Sequence, residues 1–225
     1  MNEHHFQQIQ IFEELQLKII SEIISSQVER ITNLPLKSIR QYHLSHSEYH
    51  HLMAPKSARQ FSRSDVGTFL SLPGFVAVKK IFCDFDVGDV VDDTGIQNVP
   101  EVYFRLVRPS MASDIGMPHC DHWFHKKFGL PYRIGSTYKL WIAVCAEPTL
   151  NGLCFYPSCN FESLGEVFFE NNRDWSRYGQ FLGAAVMPMI STGEALLFRD
   201  DVVHGGALNR GTETRCSIEI TFVPR

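Results

Sequence analysis

From residue 76 onward the chain is a succession of short β-type runs, at 77–85, 101–107, 117–124, 137–146, 152–157, 185–189, 194–198, 202–206 and 213–223. Turn-forming groups separate them, among them Pro109-Ser110, Gly135-Ser136, Asn151-Gly152, Thr192-Gly193 and Asn209-Arg210-Gly211. Most of the intervals hold no helix-length segment. A parallel βαβ architecture is therefore disfavoured, because its crossovers need helices. Many short strands joined by turns point to a sandwich or jelly roll. The stretch 160–182, long, aromatic and charged, interrupts this texture, and an insert of that kind in a compact domain is usually functional.

Residues 1–75 read as a mostly helical packing region. Ile9, Phe12, Leu15, Ile19 and Ile23 recur at spacings of three and four, which places them on one helix face, and Pro35 ends the region. His43, His46, His50 and His51 show no regular spacing with acidic partners and read as surface or core residues rather than ligands. With 225 residues, no repeats and no low-complexity linker, the chain is expected to be a single domain. A net charge of −4 argues against a nucleic-acid partner, which would need a basic surface. No apolar run approaches the roughly 18 residues of a membrane span, and no signal peptide is apparent. The six cysteines form no CxxC pair, so reduced thiols in a cytoplasmic protein are expected.

The last strand carries a clear alternation. Arg215, Ser217, Glu219 and Thr221 share one face, and Cys216, Ile218, Ile220 and Phe222 share the other. On a surface strand the polar face meets water. In a barrel around a polar ligand it points inward. The pattern is compatible with both.

The chemistry concentrates in Met117-Pro118-His119-Cys120-Asp121-His122-Trp123-Phe124-His125. On a strand, His119 and Asp121 would lie side by side on one face. His204, near the start of the penultimate strand, supplies a third ligand. Two histidines and one carboxylate make the facial triad of non-haem Fe(II) oxygenases, which leaves positions open for a cosubstrate and O₂. Eleven residues after His204 stands Arg215, whose planar fork suits a carboxylate. Each piece alone is common. Their order and spacing, with 82 residues between Asp121 and His204, make the combination specific. His122 and His125 extend an HxxHxxH spacing that opens a competing zinc site on His119, His122 and His125. The preferred reading has those two rings lining the pocket mouth. The basic group His125, Lys126, Lys127 and Arg133 either attracts an anionic substrate or forms a solvated loop.

Over residues 100 to 225 these pieces resemble the Fe(II)/2-oxoglutarate-dependent dioxygenases, and within them the phytanoyl-CoA dioxygenase-like branch. The matching segments are Pro118 to Trp123, Trp141 to Val144, Glu147, Asn151-Gly152-Leu153, Pro157-Ser158, Gly193 to Phe198, His204-Gly205-Gly206, Asn209, Gly211 and Arg215. Where that branch usually continues Ser-His, this chain has Ser158-Cys159-Asn160. The resemblance implies a mainly β fold with flanking helices, a double-stranded β-helix of jelly-roll or cupin type with an N-terminal helical region. It implies His119, Asp121 and His204 as ligands of Fe(II), and Arg215, assisted by Ser217, as the holder of 2-oxoglutarate. Trp141 matches a tryptophan lining the cosubstrate pocket. Tyr103 and Arg105 alternate with apolar neighbours and are expected to face the interior as further contacts.

The implied reaction consumes 2-oxoglutarate and O₂, releases succinate and CO₂, and hydroxylates a small molecule, anionic or sugar- or natural-product-like. The 160–182 insert would then be a lid. A cupin-type metal protein that does not use 2-oxoglutarate stays open, and it would leave Arg215 without a task.

Overall fold

In the computed structural model of the chain, the described residues are 6–82, 85–92, 95–159, 164–165, 168–169 and 179–225. Most of the 160–182 insert, including Arg173, Trp175, Arg177 and Tyr178, lies outside them. A first strand, β1 (Phe6–Gln10), leads into α1 (Glu14–Thr32). Two short helices, α2 (Tyr42–Ser45) and α3 (His50–Met53), precede α4 (Arg63–Ser71) and α5 (Pro73–Phe82). There follow β2 (Phe85–Val87), β3 (Asp89–Asp92), β4 (Gly95–Pro100) and β5 (Val102–Val107). Helix α6 (Asp121–Lys127) comes next, then β6 (Tyr138–Cys145), β7 (Leu153–Phe155), β8 (Glu194–Arg199), β9 (His204–Gly206) and β10 (Arg215–Pro224).

The main sheet runs β1-β8-β6-β10-β2, with β5 also against β10, and all its pairings are antiparallel. A smaller antiparallel pair, β7 with β9, is extended by single bridges from His119 to His204 and from Val186 to Phe155. The two-residue period of the strands sorts the side chains. Leu140, Ile142, Val144, Ile218 and Ile220 pack with Ile20, Ile24, Val28, Phe69 and Phe75 from the helices. Trp141, Ala143, Leu196 and Phe198 turn the other way, onto Leu153 and Phe155 of the smaller sheet. Helices thus cover one face of the main sheet, and the small sheet faces the other. This is the expected jelly-roll arrangement of two antiparallel sheets with an N-terminal helical layer. It also decides the alternation in β10: Arg215, Ser217, Glu219 and Thr221 are all buried, so the polar face points inward.

Several expectations need correction. Residues 77–85 were expected to be a strand, but Pro73–Phe82 is helical. Proline is favoured in a first helical turn, and Phe75 and Val78, three apart, both reach the core. The strand expected at 117–124 is replaced from Asp121 onward by α6, whose first turn gains from an acidic residue at the positive end of the helix dipole. At 185–189 only the Val186 bridge is found. The N-terminal face holds only in part: Phe12 is buried, and Ile19 and Ile23 are partly buried against the core. Ile9 lies on β1, Leu15 is 72% exposed, and the buried side of α1 is Ile20, Ile24, Gln27, Val28 and Thr32. Pairing of β1 with the edge of β8 is a contact between residues far apart in sequence, and local periodicity cannot report it. The helix stops at Asn33, which adopts a left-handed conformation, two residues before Pro35. No described helix is long and apolar enough to cross a membrane.

The two helix faces can be told apart by experiment. Ile24→Ala should cost about 2–5 kcal/mol in chemical denaturation, as for other large-to-small core changes. Leu15→Ala should stay within about 0.5 kcal/mol. Equal losses would contradict the observed face of α1.

Candidate metal centre and cosubstrate pocket

His119 sits on an extended segment and His204 opens β9. Two backbone hydrogen bonds of 2.8 Å, one in each direction, tie the two residues together. Each ring donates its Nδ1 proton to a carbonyl two residues earlier, His119 to Met117 at 2.8 Å and His204 to Val202 at 2.9 Å. A carbonyl can only accept, so Nδ1 carries the proton and Nε2 keeps its lone pair for a metal. Asp121, the first residue of α6, completes the set: one ligand atom from each of His119, Asp121 and His204 lies within 4.8 Å of the other two. The strand geometry expected for His119 and Asp121 is absent, yet the turn into α6 still brings them together.

The electrostatics favour the protonation states that a metal needs. Burial holds the His204 ring down at about 4, and the neighbouring His119 adds to the effect. Burial lowers His119 as well. For Asp121, burial by itself would raise the carboxyl. Lys139, then His204 and His119, outweigh it and hold the group at about 2. Lys139 Nζ lies 3.5 Å from Asp121 Oδ2 and 3.1 Å from Glu101 Oε1, and it donates to Thr221 Oγ1 at 2.8 Å. Lys56 meets the same Glu101 oxygen at 2.8 Å. Two neutral imidazoles and one ionised carboxylate are a ligand set that suits Fe(II).

A narrow cavity lined by Arg105, His119, Trp141, His204, Arg215 and Glu219 leads inward from these ligands. Arg215 is 1% exposed. Its Nη1 donates to the Gly152 carbonyl. Among the described residues its Nε and Nη2, and the Ser217 hydroxyl, have no hydrogen-bond partner. Nε and Nη2 form one side of the guanidinium fork, the side that grips a carboxylate with two parallel hydrogen bonds. Burial, and next to it Arg105, lower Arg215 to about 10, as expected of a cation enclosed without an anion. The residues present therefore fit a bound dicarboxylate.

Arg105 lines this cavity, but its Nε is paired with Glu219 at 3.2 Å. Tyr103 donates its hydroxyl proton to the same carboxylate and is not among the lining residues. Beyond His119 and Arg105 opens a larger cavity of about 560 Å³, walled by Arg59, Arg108, His50, Asp114, Phe124 and Phe168. Arg108 is paired with Asp114 at 2.8 Å. Among the described residues, Arg59, 9% exposed, donates to the carbonyls of Phe104 and Ala54, both at 3.2 Å. Burial, followed by Arg105, lowers it to about 10. His50, first read as an ordinary surface or core residue, lies in this wall beside Asp114. His122 and His125 do not line the mouth: neither is among the residues of the two cavities, both face Asp200, and His125 is 3% exposed. The competing site on His119, His122 and His125 is not formed.

No family model matches the chain, and no curated protein does. Solved structures do share its fold. EvdO2 from Micromonospora carbonacea var. aurantiaca, complexed with 2-oxoglutarate, superposes with a TM-score of 0.52 at 12% identity, over 99% of this chain and 87% of that one. EctD from S. alaskensis, with bound Fe, gives 0.53 at 12% identity, over 99% and 73%. The non-heme alpha ketoglutarate dependent carbocyclase SnoK from nogalamycin biosynthesis gives 0.54 at 13% identity, over 98% and 80%.

The depressed His204 has a consequence for metal-free protein. Its folded value of about 4 lies below the ordinary histidine value of 6.5, so the unfolded chain binds more protons between these limits. Stability should therefore be complete above pH 6.5 and fall as the pH drops toward 4. Urea midpoints at pH 7 and pH 5 measure the slope, which should shrink in His204→Gln. A slope unchanged in that variant would mean that other groups dominate.

Proposed function

We propose that the chain is an Fe(II)- and 2-oxoglutarate-dependent oxygenase that hydroxylates a small molecule. The observation that carries this reading is the convergence of His119, Asp121 and His204 beside a narrow cavity that His119 and His204 line together with Arg215, whose guanidinium edge of Nε and Nη2 has no hydrogen-bond partner among the described residues. A metal protein without 2-oxoglutarate would have no use for that edge. The fold shared with EvdO2 and EctD, and the order HxD, His, Arg along the chain, support it. Fe(II) with 2-oxoglutarate and O₂ would supply the oxidising power. The segment pattern from Pro118 to Ser158 favours the phytanoyl-CoA dioxygenase-like branch.

The tasks of the protein itself follow from its residues. His119, Asp121 and His204 would hold the iron on one side and leave the other open. Arg215 and Ser217 would fix the distal carboxylate of 2-oxoglutarate, with Trp141 as a wall. The keto-acid end would then lie toward the metal ligands. The retention of Asp121, where halogenases of this kind have a small residue, favours hydroxylation, or a cyclisation of the sort named for SnoK. The larger cavity would receive the substrate. Arg59, whose acceptors among the described residues are carbonyls, would meet an anionic group on it. Phe168 lines this cavity and shares a buried cluster with Leu164, and its ring lies tilted near His119 with centroids 6.1 Å apart. They support a covering role for the 160–182 insert, which would keep water from the reacting centre.

The dissociation constant of 2-oxoglutarate, measured in iron-loaded protein without oxygen, tests the assignment. Arg215→Ala should weaken binding by about 2–5 kcal/mol, the range for removing one partner of a buried charge pair. Arg215→Lys should lose less, since charge survives and the fork does not. Iron content should be unchanged in both. An unaltered constant in Arg215→Ala, or no binding by the unmodified protein, would overturn the reading.

A further inference from the structure

A second group of metal-binding side chains begins one residue after Asp121. His122 and His125, three apart on α6, turn their Nδ1 atoms to one carboxylate oxygen of Asp200, just after β8. The separations from Asp200 Oδ2 are 3.7 Å for His122 and 3.4 Å for His125. These are too long for N–H···O hydrogen bonds. The shorter one suits another arrangement. Ligands held about 2.0–2.1 Å from one tetrahedral ion stand about 3.3–3.4 Å from each other. One ligand atom from each of the three residues lies within 4.8 Å of the other two.

Burial sharpens the point. Asp200 is 1% exposed and His125 3%. Asp200 Oδ1 accepts the Gly135 N–H at 2.7 Å. Its Oδ2 and the His125 Nδ1 have no hydrogen-bond partner among the described residues. A carboxylate oxygen and a ring nitrogen taken out of water without partners each lose free energy, and a shared cation restores both. Two histidines and a carboxylate, with a water in the fourth position, are a donor set used by zinc.

We propose that His122, His125 and Asp200 form a second divalent-metal site, of zinc type, that shares no ligand with the His119–Asp121–His204 group and clamps α6 to the turn between β8 and β9. The place gives it a purpose. The His122 N–H already donates to the Asp200 carbonyl at 3.0 Å. Helix α6 carries Asp121 at its start, and the turn after Asp200 leads to His204 four residues on. An ion here pins together the two segments that present two of the three triad ligands. The inference stands whether or not the chain uses 2-oxoglutarate.

Cobalt(II) added to the metal-free full chain is the probe, because a four-coordinate cobalt ion absorbs visible light far more strongly than a six-coordinate one. The chain should take up two equivalents, one of them strongly absorbing and displaced by zinc. His125→Ala and Asp200→Asn should each lose the strong band and one equivalent. His119→Ala should lose the other equivalent and keep the band. Uptake without a strong band by the unaltered chain would overturn the proposal, with no variant needed. So would a strong band that survives in His125→Ala and Asp200→Asn, or one that vanishes with His119.

Discussion

The buried Lys139 is the contact on which the rest of the centre depends. A carboxylate enclosed in a barrel tends to take up a proton, and a protonated carboxyl is a poor metal ligand. Lys139 prevents this at Asp121, while Glu101 and Thr221 keep the ammonium itself in place. The arrangement continues outward through Glu101 to Lys56. Beside it, Tyr103 and Arg105 hold Glu219 ionised. Each buried charge in this row meets an opposite one, which is the condition under which burial is tolerable. On the inner face of β10, Glu219 and Thr221 can be polar because Tyr103 and Arg105 of β5 and Lys139 of β6 answer them.

The opposite end of the pocket is built by backbone locks. Asn151 donates to the side-chain carbonyl of Asn209 at 3.0 Å, and Asn209 in turn holds the carbonyls of Val107 and Glu213 at 2.9 and 2.8 Å. Glu147 accepts the backbone N–H groups of Thr212 and Glu213, both at 2.9 Å. A Cβ on Gly211 would stand 2.0 Å from the Glu147 carboxylate, so only glycine lets that carboxylate reach its donors. These contacts place Gly152, whose carbonyl takes one arm of Arg215 and so aims the other edge of the guanidinium into the cavity. Several positions of the family-like pattern, Glu147, Asn151, Asn209 and Gly211, thus act by holding the loop around Arg215.

What could be read in advance follows the range of the signals. The strands β5, β6, β8 and β10 announce themselves because alternation and turn residues are local. The triad and Arg215 are legible because their types and order are unusual together. The failures are long-range or competitive. At β1, backbone pairing with β8 overrode a helical period. At 77–82, apolar residues compatible with either period were drawn into a helix by Pro73 and by packing of Phe75 and Val78. Lys139 was invisible as a site residue, since one lysine in a β run signals an outward face. Only its place opposite Thr221 in the register shows that it points inward. Asp200 escaped for the same reason, because its link to His122 and His125 exists only once α6 folds against the end of β8.

The charges around the centre carry one further argument. Lys56, Arg59, Arg105, Lys139 and Arg215 are the buried or half-buried cations, and Glu101, Asp121 and Glu219 are the anions that face them. Three of the cations are matched within this group, and Arg59 and Arg215 are not. A divalent metal and a dianionic cosubstrate would add charges that cancel, so together they leave the surplus in place. Arg215 would meet the cosubstrate's carboxylate. Arg59 then keeps an unmatched charge at the wall of the larger cavity, held there by two carbonyls that orient it without neutralising it. A neutral substrate would leave that cost standing, whereas one bearing a carboxylate or phosphate would remove it.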